Sequence, residues 1–215
     1  MKDLYNKNRR SIRLKGYDYS QPGYYFITIC TKNRECVFGE IFQQHMRLSA
    51  LGKIVDYEWR HISNRYSNVI LNEFIVMPNH IHGIIIISDE FFVGISEEIV
   101  GTTFAVAQCN SIVQNNNMTG ARSISSLILN ERAGARPAPT ITIGNIVGSF
   151  KSLCVHGYLQ YLKNKNIHDV PGKFWQRNYY ESIIENDSHL ENVQAYIQNN
   201  PLNWNTDPEN LEFIL

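Results

Sequence analysis

The chain has 215 residues, 43% of them apolar, and 20 lysines and arginines balance 20 aspartates and glutamates. That length suits one elaborated domain or two small ones with a sizeable core, while a formal net charge of zero gives no general argument for a nucleic-acid partner. No apolar run nears the ~20 residues of a membrane helix, and four scattered cysteines without a Cys-x-x-Cys pair form neither a zinc ribbon nor a disulfide framework.

The charged N-terminus predicts no signal peptide, so a reducing, cytoplasmic setting is the expectation. Residues 1–22 read as a basic arm in which Lys2, Lys7, Arg9, Arg10, Arg13 and Lys15 face Asp3 alone. Such an arm is either a phosphate contact, with Arg9, Arg10 and Arg13 as candidates, or a solvated terminus. The aromatic, β-branched run Tyr24 to Thr31 predicts a strand. Gly39 to Arg47 reads as a weak connection. Ser49 to Arg65 carries apolar residues at helical spacing (Leu51, Ile54, Val55, Trp59, Ile62) behind a serine cap. Val69 to Met77 predicts a second strand, turned at Pro78-Asn79 into a third over 80–88.

From about 88 to 140 the texture changes to Gly, Ser, Thr and Asn without a sustained period, which predicts an insertion the core does not need. Ile146 to Leu162 predicts a helix and Phe174 to Ile184 an aromatic strand. Asp187-Ser188 caps a helix over roughly 189–199, ended by Asn200-Pro201. After Arg177 there is no lysine or arginine, and residues 204–215 read as an acidic tail. The order β, α, β, β, α, β, α predicts an α+β fold. Its core is a ferredoxin-like split β-α-β arrangement with a central antiparallel sheet, helices on one face and a long insertion. The domain then spans 23–203.

The third strand opens with Pro78-Asn79-His80-Ile81-His82. Side chains on a strand alternate, so His80 and His82 share a face and stand where two imidazoles can hold one divalent ion. Such a pair also arises by chance on surface strands, and two ligands are too few for a catalytic ion. On the last helix Tyr196 and Asn200 are four residues apart, hence on one face. The Asn200 amide oxygen is a hard ligand suited to Mg2+ or Mn2+. Tyr196 is either a nucleophile, once a base or cation favours its phenolate, or one structural aromatic among 12 tyrosines.

These segments together resemble the REP-associated tyrosine transposases, within the HUH single-strand nucleases and IS200-like single-tyrosine transposases. The resemblance rests on Pro78 to His82, on Tyr196 with Asn200-Pro201, on Gly148 to Ser152, on Phe174 to Glu181 and on Tyr24 to Thr28. It covers about 23–87 and 141–203. It implies a metal-dependent transposase or endonuclease that cuts and rejoins single-stranded DNA through a 5′-phosphotyrosine link. His80, His82 and Asn200 would bind Mg2+ or Mn2+, and Tyr196 would attack. The implied substrate is single-stranded DNA next to a hairpin, and the implied assembly is either a monomer or a homodimer. Lys151 and Arg177 join the arm as candidate DNA contacts. The other readings are a non-catalytic single-stranded nucleic-acid-binding module and a metal phosphoesterase that uses water.

Overall fold

The structure, a computed structural model, describes residues 17–88, 141–168 and 172–210. Arg9, Arg10, Arg13 and the 89–140 part of the expected insertion lie outside the described residues. The elements are β1 (Gly23–Cys30), β2 (Gly39–Phe42), β3 (His45–Leu48), α1 (Ala50–Arg60), β4 (Val69–Val76), β5 (His80–Ile87), α2 (Ile143–Asn164), β6 (Tyr180–Ile184) and α3 (Asp187–Asn199). Four strands pair antiparallel in the order β4-β5-β1-β6, and β2 with β3 forms a separate hairpin. The mixed fold with a central antiparallel sheet is the one expected.

The two sheet faces differ in what covers them. Tyr25, Ile27 and Ile29 of β1 and Ile81, Ile85 and Ile87 of β5 pack with Val55 and Trp59 of α1 and Ile146, Val147 and Phe150 of α2. The other face carries Tyr24, Phe26, Ile84 and Ile86, which pack with Leu190, Val193 and Ile197 of α3. Against the expectation of helices on one face, two of them share a face and the third lies on the opposite one, because β1 and β5 present apolar residues to both. Successive residues of β5 point to opposite layers, which is why its second half, Ile84 to Ile87, is apolar on every residue. Gly83 is a requirement of packing. A Cβ built on it would stand 2.2 Å from Cζ2 of Trp59, whose indole lies against the strand.

Local signals explain the helix ends. Ser49 Oγ accepts from Gly52 N at 3.0 Å and donates to Val37 O, which caps α1 and ties it to the preceding loop. Thr142 and Asn145 form a reciprocal capping box at the start of α2. Asn186 caps α3, and Gln194 of α3 donates to Asn72 Oδ1 at 2.8 Å. Asn72 lies within the register shift of β4 between Leu71 and Phe74, so an irregularity in the sheet anchors the last helix. No helix among the described residues is long and apolar enough to cross a membrane.

Two further expectations need correction. Gly39 to Arg47 is the β2–β3 hairpin, not a loose connection. The strand expected over 174–184 begins only at Tyr180. The stretch before it joins β1 through one bridge, Thr31 to Trp175, and two backbone bonds.

Candidate metal and phosphoryl-transfer site

His80 and His82 are almost wholly buried, 0% and 3% exposed, and share the α3 face of β5. Their ring centroids are 4.4 Å apart. Each imidazole is held by its Nδ1. His80 Nδ1 is 2.8 Å from Asn79 Oδ1, and His82 Nδ1 is 2.8 Å from Thr28 Oγ1. Asn79 donates its own Nδ2 to the carbonyls of Arg34 and Glu209. Its Oδ1 must then accept, so His80 carries its proton on Nδ1 and keeps a bare lone pair on Nε2. That Nε2 is buried and has no hydrogen-bond partner. A histidine fixed through one nitrogen with the other left bare has the form of a metal ligand.

The end of α3 closes the site. Asn200 caps the helix and is 1% exposed. Its Nδ2 donates to Asp207 Oδ2 at 2.9 Å, while its Oδ1 is buried without a partner. Tyr196, one turn earlier, places its hydroxyl 3.2 Å from His82 Nε2 although 114 residues separate them in the chain. The ring is wedged against Phe26, edge to face, at a centroid distance of 6.2 Å. The fold thus brings His80, His82, Asn200 and Tyr196 together.

Asp207 is a participant that sequence reasoning missed. Ligand atoms of His80, His82 and Asp207 all lie within 4.8 Å of one another. Residues 204–210, expected as the start of a free acidic tail, instead pack back over the histidines. Trp204, Asp207 and Asn210 are buried. Arg34 binds Glu209 at 2.8 Å and the Pro208 carbonyl at 2.8 Å. An aspartate in a run of acidic residues carries no sequence signal of this kind, because the fold that brings it back depends on Arg34 and Asn79, far away in the chain.

Electrostatics leave both imidazoles uncharged. Burial, and then the positive charge of Arg34, holds His80 down to about 3, with the Asn200 amide opposing. Burial followed by the charge of His80 holds His82 well below its usual value, against Asp207. Both imidazoles are therefore neutral at pH 7 and able to ligate. Tyr196 is 41% exposed, but its hydroxyl points inward. Burial and the negative charge of Asp207 push it up to about 12, and the hydrogen bond from Asn200 works the other way.

The remaining candidates fare differently. Lys151 turns its ammonium to the carbonyls of Gln176, Arg177 and Asn178, at 2.9, 3.4 and 3.3 Å. Burial lowers it to about 8. It holds the segment leading into β6, which a solvated or phosphate-bound lysine would not do. Arg177 is exposed on that segment. Tyr180 shares a sheet row with Thr28 and His82 and is 40% exposed, whereas Trp175 is core.

Fold and site together define an antiparallel α+β protein with a buried two-histidine, amide and carboxylate cluster beside a tyrosine. The chain belongs to the family of an uncharacterized protein of Haemophilus influenzae, to which it is 40% identical over 203 residues, 93% of this chain and 92% of that one. No family model matches the sequence. Among solved structures, a REP-associated tyrosine transposase bound to a REP hairpin aligns with TM-score 0.49 and 12% identity, over 92% of this chain and 81% of that one. A protein of Deinococcus radiodurans provisionally assigned as a transposase aligns with TM-score 0.40 and 14% identity, over 87% of this chain and 95% of that one. Both likenesses are below the level at which a shared fold speaks to shared chemistry.

Proposed function

We propose that this protein is a metal-dependent endonuclease or transposase that cuts single-stranded DNA through Tyr196. One observation carries the reading: the Tyr196 hydroxyl meets His82 at 3.2 Å beside two buried, partnerless ligand atoms, His80 Nε2 and Asn200 Oδ1. Burying a polar atom without a partner costs on the order of 1–3 kcal/mol, and a protein rarely does so twice in one place without a ligand to satisfy both. The sequence motifs shared with the REP-associated tyrosine transposases point the same way.

The donor set of two neutral imidazoles, an amide oxygen and the Asp207 carboxylate fits Mg2+ or Mn2+. Such an ion supplies charge neutralisation for a phosphodiester under attack. The chain's residues do the rest. Asn79 and Thr28 hold the imidazoles in place. If His82 Nε2 served as a ligand, the Tyr196 phenol would be released from that partner and available to the phosphate. Its oxygen forms the new bond to phosphorus, the bond from phosphorus to the 3′-oxygen breaks, and the phenol proton leaves to solvent while the 3′-oxygen takes one up. The 5′-phosphotyrosine link keeps the phosphodiester energy, so a 3′-hydroxyl can later reverse the step. Single-stranded DNA next to a hairpin is the proposed substrate, Arg177 a proposed contact, and the basic arm a further one.

The test is a single-stranded oligonucleotide pool, labelled and incubated with the protein and Mn2+. The expected result is a covalent protein–DNA adduct that disappears in Tyr196→Phe and in His80→Ala. The raised value of Tyr196 favours one competitor, a phosphoesterase that uses water. Cutting that survives Tyr196→Phe would establish that competitor, and binding without any cutting would reduce the protein to a binding module.

A further inference from the structure

Beside the histidines the fold holds a second feature that cutting does not use. The turn joining β2 to β3 and the segment after α3 enclose a cleft of about 260 Å³, lined by Gln43, Gln44, Pro201, Leu202, Trp204 and Asn205. We infer that this cleft holds a single unstacked base of single-stranded DNA next to the phosphate at the histidine site, with the Gln43, Gln44 and Asn205 amides reading its edge; this rests on the proposed action on DNA.

Three observations carry it. The first is position. Pro201 directly follows Asn200, and the Trp204 ring lies 6.1 Å from the His80 ring, tilted by 32°. One indole is therefore shared between the histidine site and the cleft. A strand with a phosphate at the first has its neighbouring base within reach of the second.

The second is chemistry. Each amide offers one acceptor and an NH2 donor pair, the groups that match base edges. Leu202, more than half exposed, and the uncovered edge of the largely buried Trp204 add a small apolar contact beside those amides. Arg47, stacked over Phe42 at 3.5 Å on the same hairpin, adds a cation for the backbone. Gln43, Gln44 and Asn205 are exposed, so burial in the core does not account for them.

The third is strain. Gln43 and Gln44 adopt φ of 48° and 64°. A two-residue turn of that hand favours Asn-Gly or Gly-Gly, and two β-carbon-bearing glutamines sit there against the local preference. Backbone strain of this kind clusters at active sites and ligand clamps.

The test uses the full chain in EDTA, so that neither an ion nor the phenol chemistry takes part. A random-sequence single-stranded dodecamer pool is titrated in while the side-chain amide signals of Gln43, Gln44 and Asn205 and the Trp204 indole signal are followed by NMR. These signals are expected to shift together as DNA binds. Gln43→Gly with Gln44→Gly suits the turn and keeps the hairpin. That double variant and Asn205→Ala are each expected to weaken binding about five-fold or more and to flatten the base preference at one position in a selection from the same pool. Unmoved signals at saturating DNA, selection profiles that superimpose on the parent's, or no binding of the pool would each overturn the inference. A missing covalent adduct with Mn2+ would defeat the Tyr196 reading without touching this one, and the reverse also holds.

Discussion

Asn79 is the residue on which the chemistry of His80 turns. It accepts from His80 Nδ1 at 2.8 Å because its own Nδ2 is held by two carbonyls. The amide therefore sets which nitrogen of the ring is bare. Asn79→Ala removes both the tautomer lock and the tie to Glu209. Losses of this kind typically lower metal affinity by about 10- to 100-fold, and calorimetric titration with Mn2+ checks the figure. Asn79→Asp keeps an acceptor toward Nδ1 and is expected to retain more of the affinity than the alanine variant. The pH dependence of the metal-free protein follows from the same two rings. His80, at about 3, and His82, well below its usual 6.5, both refuse protons in the fold. Below pH about 6.5 the unfolded chain takes up protons that the folded chain does not, so stability falls as pH drops toward 3 and is fully present above 6.5. Urea midpoints between pH 7 and pH 4 are expected to fall less steeply in the His80→Gln, His82→Gln double variant than in the parent. Equal slopes would show that the rings are not buried neutral.

The site depends on elements held from both faces of the sheet, and Gly83 shows how tightly. A methyl group there meets the Trp59 indole at 2.2 Å, and neither the central strand nor the core-locked ring can move away. Gly83→Ala is expected to destabilise by roughly 1–3 kcal/mol, as overpacked cores do. Adding Trp59→Phe should recover part of the loss, and a double-mutant cycle in urea measures the coupling. Strong periodicity made most of these elements legible. The aromatic and β-branched run of β1, the isoleucine run of β5 and the apolar spacing of α1 survive in the structure with only their ends shifted. The β2–β3 hairpin escaped because its turn is Gln43-Gln44, which carries none of the asparagine or glycine that signals such a turn. The face of α3 escaped for another reason. The isoleucines of β5 make it apolar on both sides, so its pattern cannot say which helix goes where; α3 is held on its face by Leu190, Val193 and Ile197 and by Gln194 binding Asn72 in the β4 irregularity.

At the scale of the whole molecule the site is a meeting of distant parts: β5, the end of α3 and residues 204–210. His80, His82, Tyr196 and Asn200 could be named from sequence because each sits in a short motif with a fixed face. Asp207 could not, since its place depends on Arg34 reaching Glu209 and on Asn79 reaching the same residue's carbonyl. Such a site does not exist in the unfolded chain. An ion bound by it therefore stabilises the fold by mass action, whatever its role in catalysis. At a free Mn2+ concentration of about 100 times its Kd the gain is roughly 2.7 kcal/mol. For a chain of this size each kcal/mol moves the melting temperature by about 2–4 °C, so Mn2+ is expected to raise it by roughly 5–11 °C. The rise should vanish in His80→Ala, which removes a proposed ligand, and persist in Tyr196→Phe, since the proposal gives the phenol no part in holding the ion. Asp207→Asn keeps the acceptor for Asn200 and removes the negative charge, so it should retain the fold and show a smaller rise. A thermal shift identical in all four proteins would place the ion elsewhere on the molecule and leave the buried lone pairs of His80 and Asn200 without their explanation.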